Sequence, residues 1–287
     1  MPDAKIAQAI KRIQTAYEIA ESHGNTLISA YSGGKDSDVL LDLAIKSGVP
    51  FRAEHNHTTV DAPETVYHIR DVFASLQSKG IPTTINYPKM SMWQLIVKNG
   101  IPPLKHIRYC CEYLKERRFD NQHLLLGVRW NESSKRARRG LHEKLGLSKK
   151  TKVVYQDEND EGHKLTEICL QKSRVVTNPL IDWTDRQIWE YIRHNDLKVN
   201  PLYKCGFQRV GCIGCPYASK RGRDFTLYPK YKAAYIRAFD RMLIVDRAKR
   251  VERGLSPEPY GWRKDGESVF RWWTDPKFDP NQLVLED

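Results

Sequence analysis

A glycine-rich segment at positions 32–37 has the residue types that bind phosphate. It combines two glycines with a lysine, an aspartate and two serines, and it separates an apolar run from an amphipathic one. Glycine lets the backbone approach a phosphate closely, and the N-terminus of a following helix attracts anions. Lys35 adds a point charge, and Asp36 can hold a magnesium ion beside the phosphates. The predicted phosphate site comprises Ser32, Gly33, Gly34, Lys35, Asp36 and Ser37.

The spacing of this segment differs from the Walker pattern, so hydrolysis of a γ-phosphate is not predicted. An ordinary glycine turn that leads into a helix is the alternative interpretation. The position of the segment between a buried strand and a helix favours nucleotide binding, because the helix N-terminus then faces the phosphate.

Cysteines occur in two clusters that have the spacing of metal ligands. Cys110 and Cys111 are adjacent, whereas Cys212 and Cys215 form a C-x-x-C motif, a common ligand spacing for zinc or iron–sulfur clusters. Four thiolates from two segments can close a tetrahedral site, although adjacent cysteines point in different directions and need unusual local geometry. Buried free thiols are the alternative interpretation.

A fifth cysteine, Cys205, lies shortly before the C-x-x-C motif. Three roles are open for it: a ligand that frees one cysteine of the adjacent pair, a reactive thiol whose pKa is lowered by basic neighbours, or a packed side chain. The four-ligand set with Cys205 outside it is favoured, and Cys205 is then the candidate catalytic thiol. Cys169 lies in an alternating segment typical of a strand and is predicted to be structural.

Apolar periodicity indicates the elements that must position these motifs. Strands and helices alternate, which predicts an α/β fold with a parallel sheet and helices on both faces. Thr184 is the expected N-cap of one helix. The predicted strands cover 26–31, 49–55, 83–87 and 124–128, and the predicted helices cover 3–23, 38–47, 63–79, 184–194 and 229–251.

Two domains are predicted from the distribution of these elements. Residues 1–202 are predicted to form a nucleotide-binding domain. Within it, residues 135–164 are predicted to be a polar surface insertion that forms a mobile hairpin. Residues 203–287 form a basic, mainly helical C-terminal cap that contains cysteines.

The formal net charge of +12 suggests a polyanionic partner, either a nucleotide or a nucleic acid. A basic surface without such a partner is the alternative. No apolar run is long enough to span a membrane, and the N-terminal residues lack the apolar stretch of a secretory signal. A cytoplasmic location without membrane contact is therefore expected.

The ordered set of motifs resembles the ATP pyrophosphatase (PP-loop) family and, within it, the branch of phosphoadenosine phosphosulfate (PAPS) reductase. The similarity covers residues 26–218. The matching segments are Ser32–Ser37, Thr59–Thr65, Arg108–Cys111, Gly127–Arg129 with Glu132, Ser133 and Arg136, Asn178–Leu180 with Trp183 and Thr184, and Cys212–Cys215. The resemblance implies an adenine nucleotide α-hydrolase-like sheet that binds ATP or PAPS and cleaves ATP at its α-phosphate.

The resemblance also implies roles for individual residues. Lys35 and Asp36 would act at the reacting phosphate. The segment that contains Asp61 and Glu64 would lie over the nucleotide at the carboxyl edge of the sheet. Phosphate or sulfate oxygens would be bound by Arg129 and Arg136, because the planar guanidinium group binds oxyanions with paired hydrogen bonds.

For the cysteines, the resemblance implies the 4Fe–4S ligand set of the adenylylsulfate-reducing members of the branch. This set corresponds to Cys110, Cys111, Cys212 and Cys215. A structural zinc ion is the alternative.

The chain departs from the reductases because no cysteine follows Cys215. Those enzymes attack the sulfate with a cysteine near the C-terminus. The combination of an ATP-cleaving loop with an iron–sulfur cluster is instead similar to DNA phosphorothioation sulfurtransferases and cluster-dependent tRNA thiolases, in which an adenylated substrate receives sulfur. The expected function is sulfur transfer, with a nucleic acid and a protein that donates sulfur or electrons as partners.

A basic segment with interleaved aromatic residues supports a nucleic-acid partner, since cations hold phosphates and aromatic rings stack on unpaired bases. An ordinary basic helix with core-facing rings is the alternative. The residues are Tyr217, Lys220, Arg221, Arg223, Phe225, Tyr228, Lys230, Tyr231, Lys232, Tyr235, Arg237, Arg241, Arg247, Lys249 and Arg250. Two other functions stay open: a PAPS or adenylylsulfate reductase with Cys205 as relocated thiol, and a non-catalytic subunit that binds nucleotide and nucleic acid.

Overall fold

The computed structural model describes residues 3–116, 122–132, 136–146, 153–155, 173–218, 221–257 and 261–275. Its strands are β1 (Leu27–Ala30), β2 (Arg52–Asn56), β3 (Thr83–Asn86), β4 (His123–Leu125), β5 (His142–Gly146), β6 (Val153–Tyr155) and β7 (Ser173–Thr177). Its α-helices are α1 (Asp3–Ser22), α2 (Lys35–Lys46), α3 (Pro63–Ser78), α4 (Met92–Asn99), α5 (Tyr109–Cys111), α6 (Asp185–His194), α7 (Arg221–Leu227), α8 (Pro229–Glu252) and α9 (Gly266–Thr274).

These elements group into two compact units that are discontinuous in sequence. The sheet unit takes its described residues from Met1–Asn56, Pro63–Asn86 and Arg117–Val210. The cysteine unit takes them from His57–Ala62, Tyr87–Glu116 and Gly211–Asp287. The predicted domain boundary at residue 203 stays a prediction. The two compact units are each assembled from three separate segments of the chain, so they do not test a division into two continuous domains.

The sheet unit contains seven strands among its described residues, in the order β3-β2-β1-β4-β7-β5-β6. The first five strands of this order pair in parallel, and β5 is antiparallel to both β7 and β6. The strand order reverses direction between β1 and β4. Ligands of open α/β sheets bind at such a reversal, beyond the carboxyl ends of the strands.

Both faces of the central strands are apolar, as expected for parallel strands. Side chains alternate along a strand, so Leu27 and Leu125 lie on one face and Ile28, Leu124 and Val176 lie on the other. The first face joins a large core with residues of α1, α2, α3 and α6. The second face forms a small cluster of its own. The predicted α/β class is confirmed.

Most predicted elements of this unit are present, but their ends differ. Helix α2 begins at Lys35 rather than at position 38, because Gly34 is its N-cap and the loop enters the helix directly. Strand β4 ends at Leu125, three residues before the predicted end at 128. Thr184 is the N-cap of α6, as predicted, and its side chain accepts a hydrogen bond from the Gln187 amide.

The segment predicted as a surface insertion differs from expectation where it is described. Its strand β5 pairs with β7 inside the main sheet, and His142 and Glu143 are buried. The polar residues of this strand do not form an apolar pattern, so the sequence does not predict it. Its burial depends on pairing with β7, which is distant in the chain. Cys169 lies outside the described residues.

The cysteine unit is mainly helical, and α4 and α9 both pack against α8. Aromatic rings form its core, with Tyr235 and Trp273 in contact at 4.8 Å between ring centroids and Phe239 fully buried. Helices α4, α7 and α9 were not predicted. None of the described helices is long and apolar enough to cross a membrane.

Candidate nucleotide site and cysteine group

The glycine-rich loop follows β1 and is closed by its own serine. The Ser37 hydroxyl accepts hydrogen bonds from the amides of Ser32 and Gly34, at 3.3 and 3.1 Å, and donates one to the Gly34 carbonyl at 2.7 Å. Gly33 has a φ of +71°, and a Cβ atom there would lie 2.9 Å from Cγ1 of Ile69. The loop therefore requires glycine at this position for both its backbone conformation and its packing.

Two residues that the sequence reasoning missed support the loop from outside. Tyr203 accepts a hydrogen bond from the Lys35 amide, at 2.9 Å, through its hydroxyl. Asn200 is fully buried and donates to the Gly33 carbonyl at 3.1 Å and to the Thr65 hydroxyl at 3.0 Å. Sequence patterns point to neither residue, since both act across long stretches of chain.

Two buried cations and two carboxylates form an ion-pair network beside the loop. Arg129, which follows β4, places Nε 2.6 Å from Oδ1 of Asp36 and Nη2 3.0 Å from Oδ1 of Asp185. The Lys35 ammonium lies 3.0 Å from the same oxygen of Asp185 and 3.5 Å from Asp36. Lys35 and Arg129 were predicted from sequence, whereas Asp185 was not.

Burial separates the cations from the carboxylates of this network. The side chains of Lys35 and Arg129 are 5% and 3% exposed, while that of Asp185 is 53% exposed. Partial burial acts to raise the pKa of Asp185, but Lys35 and then Arg129 hold that pKa below its usual value. The site therefore contains two buried cations whose positive charge is balanced by two carboxylates of the protein.

Close backbone packing brings the β4 loop to the phosphate loop. A Cβ atom on Gly127 would lie 3.1 Å from the backbone carbonyl atoms of Asp36. The Arg129 guanidinium is further held by the Trp183 carbonyl, at 3.3 Å. Loops after β1, β4 and β7 thus meet at the reversal of strand order.

A buried polar group, which the sequence reasoning missed, lies at the first turn of α2. His68 on α3 places Nε2 3.0 Å from both the Asp38 carboxylate and the Tyr31 hydroxyl, and Tyr31 donates a hydrogen bond to Asp38. Burial raises the pKa of Asp38, whereas His68 and Tyr31 act to lower it and only partly offset the effect of burial. This group connects α2 and α3 to the end of β1.

The remaining predicted nucleotide residues lie on other segments of the chain. Arg136 forms an ion pair with Glu132, and Glu132 also accepts a hydrogen bond from the Arg129 amide at 3.0 Å. Glu64 lies in the first turn of α3, in the sheet unit. Asp61 belongs to the cysteine unit, where its carboxylate accepts a hydrogen bond from the Thr58 amide at 2.7 Å.

The four cysteines predicted as ligands all belong to the cysteine unit and are free thiols. Cys110 and Cys111 form the short helix α5. The backbone of Cys212 makes an antiparallel bridge to Asp61, and the Cys212 thiol lies 3.5 Å from the Thr58 hydroxyl. The fold therefore brings segments near positions 60, 110 and 213 together.

Electrostatic interactions connect these thiols with two cations. A hydrogen bond from Cys110 lowers the pKa of Cys111 to about 5 against the effect of burial, and Arg108 acts in the same direction. The pKa of Cys110 is raised by Cys111, by burial and by Cys212. The electrostatic interaction with Cys212 raises the pKa of Lys115. Asp61, Cys111 and Cys215 raise this pKa further.

The donor set of this group fits a soft metal, because four thiols lie in one electrostatic neighbourhood. In the part of the chain that the structure describes, no three histidine, cysteine or carboxylate side chains have the arrangement that holds a metal ion. The sulfur chemistry of the four thiols fits an iron–sulfur cluster or zinc.

Cys205 belongs to the sheet unit, not to the unit of the other four thiols. Its side chain is exposed. It follows the short helix Pro201–Tyr203, whose Tyr203 contacts the phosphate loop. Cys205 therefore belongs to the same unit as the phosphate loop and lies two residues after Tyr203, which contacts that loop.

The basic C-terminal segment divides into core and surface residues. Phe225 and Tyr235 are buried, so the interpretation that these rings stack on bases is wrong, and Trp273 packs in the same core. Tyr217 is exposed, with Arg108 over its ring at 5.2 Å. Trp262 and Trp272 stack on each other with centroids 4.0 Å apart.

Similar proteins support the assignment of a family. A family model described as "Phosphoadenosine phosphosulfate reductase domain" matches residues 26–218. The adenosine 5'-phosphosulfate reductase of Oceanobacillus iheyensis is 27% identical over 215 residues, which cover 75% of this chain and 80% of that protein.

Other relatives are longer than this chain. Two uncharacterized proteins of Methanocaldococcus jannaschii are each 26% identical, over 218 and 274 residues, which cover 74% and 92% of this chain. The matched regions are 46% and 48% of those proteins, so the chain spans about half their length.

Solved structures with similarity include the PAPS reductase of Candida auris, with a TM-score of 0.45 and 19% identity, covering 74% of this chain and 96% of that one. Another is the U34-tRNA thiolase NcsA from Methanococcus maripaludis with its 4Fe–4S cluster, with a TM-score of 0.37 and 12% identity, covering 88% and 80%. On the strength of the family model, which matches most of its length, the chain belongs to the phosphoadenosine phosphosulfate reductase family.

Proposed function

We propose that this protein is a PP-loop enzyme that cleaves ATP at the α-phosphate and adenylates a substrate for sulfur transfer, with a nucleic acid as the acceptor. The observation that carries the proposal is the pair of buried cations, Lys35 and Arg129, at the end of the glycine-rich loop. Both cations reach one carboxylate oxygen, which is the geometry that binds an oxygen of a phosphate.

The chemistry follows from the position of these groups. Lys35 and Arg129 bind oxygens of the α-phosphate and stabilise the negative charge that grows there as a substrate oxygen attacks and pyrophosphate leaves. The N-terminus of α2 adds its dipole. Asp36 is the residue that would hold magnesium, which neutralises phosphate charge when bound. A sulfur nucleophile then displaces AMP from the adenylated substrate.

The cysteine unit supplies the second part of the proposal. Cys110, Cys111, Cys212 and Cys215 would hold a 4Fe–4S cluster, with zinc as the alternative. Such a cluster supplies electron transfer or a site for sulfide when bound. The protein itself contributes Arg108 and Lys115, whose positive charges act with the hydrogen bond from Cys110 to lower the pKa of Cys111.

The nucleic-acid partner is supported by unpaired cations on α8. Lys230, Arg237 and Arg241 are exposed and have no ion-pair partner among the described residues. Their spacing of seven and four residues places them on one face of the helix. A row of cations of this kind binds phosphates without sequence preference.

The test is product analysis with anaerobically purified protein. ATP labelled in the α-phosphate is supplied with and without transfer RNA or DNA, and AMP and pyrophosphate are quantified along with iron and acid-labile sulfide. The proposal expects AMP and pyrophosphate in equal amounts, with formation stimulated by nucleic acid. Release of sulfite from adenylylsulfate or PAPS, with ATP left intact, would contradict it.

A second candidate function is a sulfonucleotide reductase that uses Cys205 as its thiol. It is favoured by the relative in Oceanobacillus iheyensis, which is an adenosine 5'-phosphosulfate reductase, and by the exposure of Cys205 in the unit that contains the loop. Sulfite release that is lost in Cys205→Ser and retained in wild type is the expected result for this candidate.

A further inference from the structure

One oxygen atom of Asp185 is the meeting point of both buried cations. Nζ of Lys35 and Nη2 of Arg129 each lie 3.0 Å from Oδ1 of this carboxylate. Asp36 binds the same two cations through its two different oxygens, Oδ1 to Arg129 and Oδ2 to Lys35. Only Asp185, among these carboxylates, presents a single oxygen to an ammonium and a guanidinium together.

Burial explains why the cations need such a partner. The side chains of Lys35 and Arg129 are almost completely buried, and a buried charge without a counter-charge is strongly destabilising. A phosphate oxygen offers the same convergence of charge-assisted hydrogen bonds. A carboxylate and a phosphate oxygen cannot occupy this point together, because both are anions and each fills it.

We infer that Asp185 is an internal stand-in for the phosphate, which neutralises Lys35 and Arg129 in the ligand-free protein and is displaced when a nucleotide binds. This inference rests on the proposed function and adds a regulatory residue to the same site. The affinity for a phosphate ligand then depends on how much more strongly Lys35 and Arg129 bind the phosphate than they bind Asp185. A ligand without phosphate does not displace Asp185 and gains no affinity in this way.

The position of Asp185 allows the exchange without unfolding its helix. Asp185 is the first residue of α6 and is 53% exposed, so its carboxylate can turn into water. There it still benefits from the dipole of the helix N-terminus. The helix start is secured independently, because Thr184 and Gln187 form a capping box.

The test compares Asp185→Asn with Glu190→Gln by calorimetric titration. Glu190 is the matched control, since it lies on the same helix and pairs with Arg186 on the surface. The probes are inorganic pyrophosphate without magnesium, a non-hydrolysable ATP analogue with magnesium, and adenosine. Asp185→Asn is expected to bind both phosphate probes about fivefold more tightly than wild type, with adenosine binding unchanged and Glu190→Gln like wild type.

Thermal unfolding of the ligand-free proteins gives a second readout. Asp185→Asn should melt at a lower temperature than wild type, since two buried cations lose a counter-charge, and saturating pyrophosphate should raise its melting temperature by more than that of wild type. A purely structural ion pair would lower the ligand-free melting temperature without tighter binding.

Two results would overturn the inference. Unchanged or weaker pyrophosphate binding in Asp185→Asn would show that the carboxylate does not compete with phosphate. Weaker binding of the ATP analogue with magnesium, together with unchanged binding of magnesium-free pyrophosphate, would make Asp185 a metal ligand instead. If wild type binds neither phosphate probe, the proposed function fails together with the inference. If wild type binds both probes but Asp185→Asn does not bind them more tightly, only the inference fails and the proposed function stands.

Discussion

Gly33 shows why the sequence of the phosphate loop tolerates little change. Its φ of +71° lies in the left-handed region, which costs a residue with a Cβ atom about 1–2 kcal/mol. The added methyl group would also press on Ile69 and Thr65, whose atoms lie 2.9 and 3.1 Å from the Cβ position. Conformation and packing therefore both exclude larger residues here.

A substitution at Gly33 can separate these two causes. Gly33→Ala is expected to lower the free energy of unfolding by about 2–3 kcal/mol, because strain and steric overlap add, and to abolish nucleotide binding. Gly48→Ala is the control, since Gly48 has a φ of +73° but no atom within 4 Å of its Cβ position. Denaturant unfolding and ATP-analogue titration measure both effects. Equal destabilisation by the two variants would mean that packing against Ile69 does not matter.

The short helix Pro201–Tyr203 supports the phosphate loop from outside. Removal of the hydroxyl in Tyr203→Phe leaves the Lys35 amide without its partner at 2.9 Å. Nucleotide affinity should fall about threefold to tenfold, as expected for one hydrogen bond worth about 1 kcal/mol. The control is Tyr67→Phe, because the Tyr67 side chain is 64% exposed. Affinity equal to wild type in Tyr203→Phe would show that the contact does not position the loop.

Helix α1 is anchored to the segment after β7 through Asp182. Arg12 binds Oδ1 of Asp182 at 2.7 Å, and Lys5 also pairs with this carboxylate. Partial burial acts to raise the pKa of Asp182, but Lys5 and Arg12 hold it below the ordinary value of 3.8. A carboxyl whose folded pKa is depressed contributes stability above its unfolded pKa and loses it as the pH falls.

The pH dependence of stability should therefore depend on Asp182. Asp182→Asn is expected to lower the free energy of unfolding by about 1 kcal/mol at pH 7. The difference from wild type should shrink as the pH falls from about 5 towards 3, where wild type also loses the charge. Urea unfolding across this range measures the effect, with Asp71→Asn as the control because Asp71 pairs with Lys198 on the surface. A difference that stays constant with pH would contradict the assignment.

The five described cysteines of the chain are divided between the two units. Four lie in the cysteine unit, and Cys205 lies in the sheet unit. Iron content should follow this division. Serine substitution of Cys110, Cys111, Cys212 or Cys215 is expected to reduce bound iron and the visible absorbance of anaerobically prepared protein by more than half, since cluster binding needs all four thiolates.

Cys205→Ser is the matched control for these variants and should retain the iron content of wild type. Loss of iron in Cys205→Ser, with iron retained in Cys110→Ser or Cys111→Ser, would instead indicate the alternative ligand set. A zinc content of one per chain without iron would favour the structural zinc ion. Metal analysis and absorption spectra distinguish these outcomes independently of enzyme activity.

Features that depend on local patterns could be predicted from the amino-acid sequence. Apolar periodicity predicted α1, α3, α6 and α8 to within about two residues, and the loop with its place after a buried strand followed from residue types at fixed spacing. The same reasoning missed β5, whose buried residues His142 and Glu143 are polar. Its partner β7 is distant in sequence, so no local pattern predicts the pairing.

The side chains that complete the candidate site became identifiable from the three-dimensional structure and not from the sequence. Asn200, Tyr203 and Asp185 contact the loop or its cations from far along the chain, and nothing in their own neighbourhood distinguishes them from surface residues. The roles of Lys35 and Arg129 were implied by resemblance, but their convergence on one oxygen of Asp185 required the sheet to bring the ends of β1, β4 and β7 together. Charge pairing depends on distances in space, and sequence spacing determines these distances only within one element.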